Sequence, residues 1–377
     1  MSRIGIRRLR RRAELCARLM ETWIRRPKSP TRLVLDITRR CNLRCEMCRT
    51  WKVDPAHELT VREIRQLLRG MPGLFWLDVT GGEPLFRKDA FEVFDAVLES
   101  TPHLLMLHFQ TNGFMTERAV ALCRHIRRRR DVELVVTVSI DGPREVHDRI
   151  RGRQGSFDRA LATFRALRAE AGVEVFVGTT LGPTNYDRID ELEAVLQREF
   201  PDFRSTEHHL NWVQRSSHFF QNADLPPFTD HRIARRQLRR RGVPRSLIDV
   251  MELVYLVNAH FTNQGEASEV TCQALRSAAF VSPEGDLYPC HMWDRPLGSL
   301  RDRSAEELWA APETRAAREE AVALACGGCF TPCEAYPALA GAPFSTLRHT
   351  SRRAIRLLVE RGTAKPAPTK ATLPILK

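Results

Sequence analysis

Between residues 32 and 213 the chain repeats one pattern: a short apolar stretch of strand character, a polar turn, then a longer stretch with helical spacing. The strand candidates are "RLVLDIT" (32–38), "LFWLDVT" (74–80), "LLMLHFQT" (104–111), "VELVVTVSI" (132–140), "VEVFVGTT" (173–180) and "STEHHLNWV" (205–213). Between them lie helix candidates at 60–71, 89–100, 116–129, 156–171 and 189–200. Thr60 and Glu63 make a capping box at the head of the first. Strand and helix alternating through short connections dictate a parallel sheet with right-handed crossovers. Six units fall short of a closed eight-fold barrel. The expected fold is therefore α/β, a partial (β/α)6 barrel of the TIM type. "GGEP", "NG" and "DG" follow successive strands, at the strand ends where barrel enzymes assemble their sites.

Outside the repeat, the chain divides into a basic amphipathic helix (1–29), the barrel (30–221), a helical insertion or linker (222–271), a cysteine-rich module (272–335), and a basic, partly disordered tail (336–377). No apolar run approaches a membrane-spanning length. The Arg-rich start lacks the apolar core of a secretory signal, so a cytoplasmic protein is expected. The net charge of +13 is patchy, with six arginines in residues 1–12 and "RRRR" at 127–130. None of the basic runs is interleaved with aromatic residues, so they read as solvated helix faces and not as a nucleic-acid surface.

Ten cysteines in 377 residues, six of them in two tight groups, suggest metal or cluster ligation in place of a disulfide framework. Cys41, Cys45 and Cys48 follow the first strand with spacing Cys-x3-Cys-x2-Cys. A closed structural metal site takes four ligands. Three thiolates leave one coordination position open for a substrate or cofactor. The competing reading is a zinc site completed by a distant histidine.

"CNLRCEMC" (41–48), "TGGEP" (80–84) and "SIDGPREVHDRIRG" (139–152) resemble, in order and on the right strand ends, the signatures of radical S-adenosylmethionine (SAM) enzymes. The resemblance implies that Cys41, Cys45 and Cys48 hold three irons of a [4Fe–4S] cluster while SAM chelates the fourth. One electron then cleaves the sulfonium to give a 5′-deoxyadenosyl radical, which abstracts hydrogen. It implies SAM contacts for Gly81, Gly82, Glu83, Ser139 and Arg151. Gly81 and Gly82 would let backbone approach the methionine moiety, and Glu83 would meet its ammonium group. Asn112 and Asp141 read equally well as turn residues. Met47 stands where the family usually has an aromatic residue. An external electron donor such as flavodoxin or ferredoxin is implied as a partner.

The second group, Cys272, Cys290, Cys326, Cys329 and Cys333, resembles the auxiliary-cluster modules called twitch and SPASM. Seven cysteines remain after the first three, including Cys16 and Cys123 on helices. Two fully cysteine-ligated auxiliary clusters need eight, so one auxiliary [4Fe–4S] cluster is expected. Its ligands would be Cys272, Cys290, Cys326 and Cys329, with Cys333 as spare or substitute. A zinc site with the same ligands is the alternative, and His291 and Trp293 read as packing residues.

The substrate is open: a peptide or protein, or a small metabolite, with an oxidation or cross-link as the reaction. Too few residues precede Cys41 for a leader-binding domain, so a peptide leader would need a separate partner protein. The helices of 222–262 and "EHHLNW" are expected to shape the cavity, with at most one of His208 and His209 facing it. Leu9, Cys16, Met20 and Trp23 recur at helical spacing among arginines. That stripe suits a helix packed on the barrel, or one lying on a membrane surface with a lipid-linked substrate. A basic iron–sulfur protein that binds nucleic acid or senses redox state is the alternative of another class.

Overall fold

The computed structural model describes residues 3–359, except 242, 245–246, 268–270, 324–330, 333–334, 337 and 339–341. The barrel strands are β1 (Arg32–Asp36), β2 (Trp76–Thr80), β3 (Met106–Thr111), β4 (Glu133–Ser139), β5 (Val173–Leu181) and β6 (His208–Trp212). After a leading helix α1 (Arg3–Ile24), the crossovers carry α2 (Val61–Arg69), α3 (Ala90–Ser100), α4 (Thr116–Arg129), α5 (Arg144–Arg151), α6 (Ser156–Arg168) and α7 (Ile189–Glu199). All five crossover helices expected from the sequence are present. The Thr60–Glu63 capping box forms as read, with Thr60 N donating to Glu63 Oε2 at 2.7 Å. Helix α5, inside the segment read only as a motif, was not expected.

The sheet runs β6-β5-β4-β3-β2-β1-β7-β8, and every neighbouring pair from β6 to β7 is parallel. Strands β7 (Ala278–Val281) and β8 (Leu287–Tyr288) come from the cysteine module, and β7 pairs with β1 in the register Leu33↔Ala279. The module therefore extends the barrel sheet instead of hanging from it. Its helices are α10 (Ala305–Ala310) and α11 (Pro312–Val322). Between barrel and module, α8 (Arg232–Arg240) and α9 (Leu247–Thr262) pack their apolar side on Leu210 and Trp212 of β6. A helix at Pro343–Val359 stands where a basic tail was expected.

Side-chain alternation divides the sheet into a dry and a wet face. Leu107, Phe109, Leu134, Val136 and Val138 are buried against the crossover helices. Their neighbours His108, Gln110, Val135, Thr137 and Ser139 point into the lumen and stay half-exposed. A hydrogen-bonded chain crosses that lumen: His108 Nδ1 meets Asp78 Oδ1 at 2.9 Å and Nε2 meets Thr137 Oγ1 at 2.9 Å.

Helix α1 closes the N-terminal end of the strands through charge. Arg12 Nη2 lies 2.8 Å from both Glu133 Oε1 and Glu174 Oε2, and Arg11 Nη1 lies 2.6 Å from Asp131. Burial alone would raise the Glu133 carboxyl, but Arg12 and Arg8 outweigh it and hold it below its ordinary value. A depressed carboxyl contributes stability above its unfolded pKa and loses it as pH falls. Helix α1 should therefore loosen below the ordinary carboxylate range. Glu133→Ala should destabilise the protein at neutral pH by about 1–2 kcal/mol, discounted because Arg8 is partly exposed. Hydrogen exchange should place the loss of protection in α1, and unchanged protection there would refute this anchoring.

Candidate active site

The loop after β1 carries Cys41, Cys45 and Cys48, and neighbouring motifs hold it from two sides. Gly82 N donates to Thr38 O at 2.7 Å and Glu83 N to Arg40 O at 2.8 Å. On the other side, Arg44 N donates to Arg151 O at 3.2 Å and Glu46 N to Ile150 O at 2.9 Å, at the C-terminal end of α5. Gly152 ends that helix in the left-handed region, and a Cβ there would stand 2.7 Å from Arg44 O. Buried Arg87 ties both ends of the loop, donating to Ile37 O at 2.6 Å and Leu59 O at 2.7 Å. The segment after β6 closes the loop from above: Asn222 Nδ2 donates to Met47 O at 2.7 Å and Arg49 N to Phe220 O at 2.9 Å. Neither Arg87 nor this segment was identified from the sequence. Nothing local marks an arginine whose partners lie 28 and 50 residues away.

Packing inside the protein gives the glycines a reason of their own, beside the ligand contact expected of them. A Cβ on Gly81 would stand 2.6 Å from Thr38 O, and one on Gly82 would stand 2.4 Å from Arg40 O. Both would collide with the cysteine loop, so the glycines are required by protein packing, whatever they offer to a ligand.

Glu83 is fully buried and held by three donors: Asn112 N at 2.7 Å, Leu85 N at 3.1 Å and Thr111 Oγ1 at 3.0 Å. Burial pushes its carboxyl up to about 7, against those hydrogen bonds. A cationic partner in the site would favour the charged form. Asn112 does more than turn the chain. Its Nδ2 donates to Asn42 Oδ1 at 2.7 Å and stands 3.9 Å from Cys41 Sγ. Asp141 is likewise more than a turn residue, since its fully buried Oδ2 lies 2.6 Å from Nε of the largely buried Arg151. Burial opposes the Arg151 charge, yet Asp141 and the Cys45 sulfur hold it protonated. Arg151 Nη1 is 3.7 Å from Cys45 Sγ. Ser139 ends β4 facing the lumen, paired with Gly178.

Burial raises the Cys41 thiol to about 12, and the Cys45 thiol to about 11 despite Arg151. Metal binding must expel those protons. The surroundings fit an anionic iron–sulfur cluster: three half-buried sulfurs on one loop, an amide N–H directed at one and a guanidinium at another.

His208 and His209 face opposite ways, as alternation requires. His208 is buried between Thr179 (2.8 Å) and Glu193 (3.2 Å) on the helix side. His209 stacks on Phe176 at 4.2 Å toward the lumen, and burial and then Arg241 hold its ring neutral. Helices α8 and α9 pack on the Leu210 and Trp212 side of β6. Helix α9 approaches His209 through Glu252, at 3.5 Å.

The cysteine module docks beside the loop. Arg39 bridges Asp36 (3.3 Å) to Glu284 (3.1 Å), and Leu59 N donates to Pro283 O at 2.6 Å. Backbone N–H groups point at the module's sulfurs: Ala274 N to Cys272 Sγ and Trp293 N to Cys290 Sγ, both at 3.4 Å. Between the two cysteine groups, Phe219 O accepts from Thr50 Oγ1 at 2.9 Å, and His218 Nε2 meets Cys290 O at 3.1 Å. Buried His291 packs edge-on to Phe219, and Trp293 lies in the core, both as packing residues. Cys326, Cys329 and Cys333 lie outside the described residues.

Comparison with known proteins agrees with this geometry. The model of the radical SAM superfamily matches residues 35–196, and that of the SPASM iron–sulfur cluster-binding domain matches 272–330. The AdoMet-dependent heme synthase of Methanosarcina barkeri is 29% identical over 76% of this chain and 83% of its own length. The mycofactocin maturase MftC of Mycobacterium tuberculosis is 28% identical over 83% and 78%. Among solved structures, Streptococcus suis SuiB bound to S-adenosylmethionine superposes with a TM-score of 0.56 at 14% identity, over 77% of this chain and 68% of its own. The structure of anSMEcpe with bound AdoMet and Cp18Cys peptide gives 0.53 at 14% identity, over 86% and 99%.

The chain belongs to the radical SAM superfamily. Within it, this is an enzyme with a SPASM-type auxiliary iron–sulfur module, and its cofactors are S-adenosylmethionine and [4Fe–4S] clusters, one of them auxiliary.

Proposed function

We propose that this enzyme cleaves SAM reductively at the Cys41–Cys45–Cys48 loop and removes hydrogen from a substrate held in the half-open lumen. The carrying observation is the clamping of that loop between the Gly82–Glu83 turn and the Arg151–Gly152 end of α5. Cys41, Cys45 and Cys48 would hold a [4Fe–4S] cluster, which when bound would supply the electron that cleaves the sulfonium of SAM. Glu83 receives the ammonium group, Arg151 the carboxylate, and Ser139 the ribose side. Asn112 and Asp141 orient Glu83 and Arg151. The loop after β6 covers the site and limits water. The lumen-facing row His108, Thr137, Ser139 and His209 contacts the substrate. An external one-electron donor such as flavodoxin or ferredoxin completes the reaction, in the cytoplasm.

A peptide is the first substrate class to test, with oxidation or cross-linking as the outcome and a separate protein binding any leader. SuiB, which shares this fold, has been solved bound to its precursor peptide SuiA. The resemblance to a heme synthase makes a small metabolite the second class. In the module, Cys272, Cys290, Cys326 and Cys329 are proposed as ligands, since the matched domain ends at residue 330, short of Cys333.

Anaerobic reconstitution should load about eight irons per chain, and dithionite with SAM should yield 5′-deoxyadenosine. Cys329→Ala should lower the count to about four, and Cys333→Ala should leave it unchanged. The reverse pattern would exchange the two ligands. Glu83→Ala should keep the iron and weaken SAM binding roughly tenfold or more. Unaltered SAM affinity would remove Glu83 from the site.

A further inference from the structure

Eight of the twelve large apolar side chains exposed among the described residues lie on two helices that touch each other, α1 and Pro343–Val359. On α1, Leu9, Met20 and Ile24 share one face, filled in by exposed Ala13, Cys16 and Ala17. The stripe does not pack on the barrel, as a packed-helix reading of the sequence expected. The barrel side of α1 is taken by Arg8, Arg11 and Arg12 on their carboxylates. Of the stripe, Trp23 finds an aromatic neighbour, Phe344, at 5.5 Å.

The second helix repeats the arrangement. Thr346, Thr350 and Arg353 are buried, with Arg353 Nη1 and Thr350 Oγ1 each bonded to Asn258 of α9. Phe344, Leu347, Ile355 and Leu358 turn outward on one face, each more than half exposed. The helix has no acidic residue, and Arg348 and Arg352 stand exposed beside the apolar row. Exposed Arg10, Glu14 and Glu21 flank the row on α1, with Glu21 paired to Arg18 at 3.4 Å, and exposed Arg25, Arg26 and Lys28 follow its end.

We infer that these two helices form a peripheral docking surface for an anionic lipid bilayer. Two amphipathic helices meeting at Trp23 and Phe344, apolar along one side and bordered by charges that are basic on balance, match the acyl boundary and the anionic headgroups together. A second copy of the chain would oppose arginine to arginine. No described helix is long and apolar enough to cross the membrane, so the contact lies on its surface. Helix α1 binds Glu133 and Glu174 at the starts of β4 and β5, while Ser139 ends β4 on the opposite side and the cysteine loop follows the end of β1. The bilayer would therefore sit under the barrel, with the active site facing water. This geometry gives no advantage to a lipid-linked substrate.

The test is cosedimentation of the full, anaerobically purified chain with vesicles of phosphatidylcholine, with and without phosphatidylglycerol. Binding to the anionic vesicles should exceed binding to neutral ones at least about tenfold and weaken in high salt. Met20→Glu with Phe344→Glu should abolish it while circular dichroism and Tm stay unchanged. Arg348→Glu with Arg352→Glu, wholly on the surface, should weaken it by a similar factor and serves if the first pair misfolds. Absence of binding, or equal binding by both double variants, overturns the proposal. A dimer in light scattering that the first pair dissolves assigns the face to a second copy and also overturns it.

Discussion

A Gly82→Ala variant should lose 5′-deoxyadenosine formation by roughly a hundredfold or more while the barrel still folds. The added methyl would stand 2.4 Å from Arg40 O, 2.8 Å from Arg40 C and 2.9 Å from Arg39 O. All three are backbone atoms, so rotation of a side chain cannot relieve the overlap. The Gly82 N–Thr38 O and Glu83 N–Arg40 O bonds that hold the loop would break or lengthen, displacing Cys41 one residue further on. Iron content and activity should fall together. Gly73→Ala is the control, because its methyl meets Thr31 Cγ2 at an ordinary 3.7 Å. A Gly82→Ala enzyme with full iron and full activity would show that the loop tolerates a shift of this size.

The second large effect is at Arg151. Arg151→Met should destabilise the protein by about 3–5 kcal/mol, because it strands the Asp141 carboxylate in an interior with no exposure. It should also weaken SAM binding by about one to two orders of magnitude, through loss of a charged hydrogen-bond donor. Arg151→Met combined with Asp141→Asn separates the two consequences. The double variant should recover most of the stability, measured by urea unfolding, and none of the SAM affinity, measured by calorimetry. Recovery of both would make Arg151 a structural residue only.

How legible the molecule was differs from element to element. The strands at 32–36, 76–80 and 106–111 and the helices between them follow from apolar periodicity and from capping chemistry as local as Thr60–Glu63. Helix α5 escaped because only eight residues carry it, five of them charged, and no apolar run announces it. The helix at 343–359 read as a basic tail because its buried side is polar, Thr346, Thr350 and Arg353, the last two bonded to Asn258 far away in sequence. The stripe on α1 was visible, but which way it turned was not. That depended on Glu133 and Glu174, more than a hundred residues away.

The proposed chemistry rests on short-range features: three cysteines within eight residues after β1, a glycine pair and a glutamate after β2, and an arginine at the end of α5. A parallel sheet brings successive strand ends to one edge, so local motifs suffice to predict a common site. Three-dimensional contact decided the rest. It showed that Thr38 and Arg40 confine the glycines, that Asn112 bonds Glu83 and Asp141 pairs with Arg151, and that β7 joins the barrel sheet. These outcomes come from packing and buried electrostatics between distant segments, and no window of sequence contains both partners.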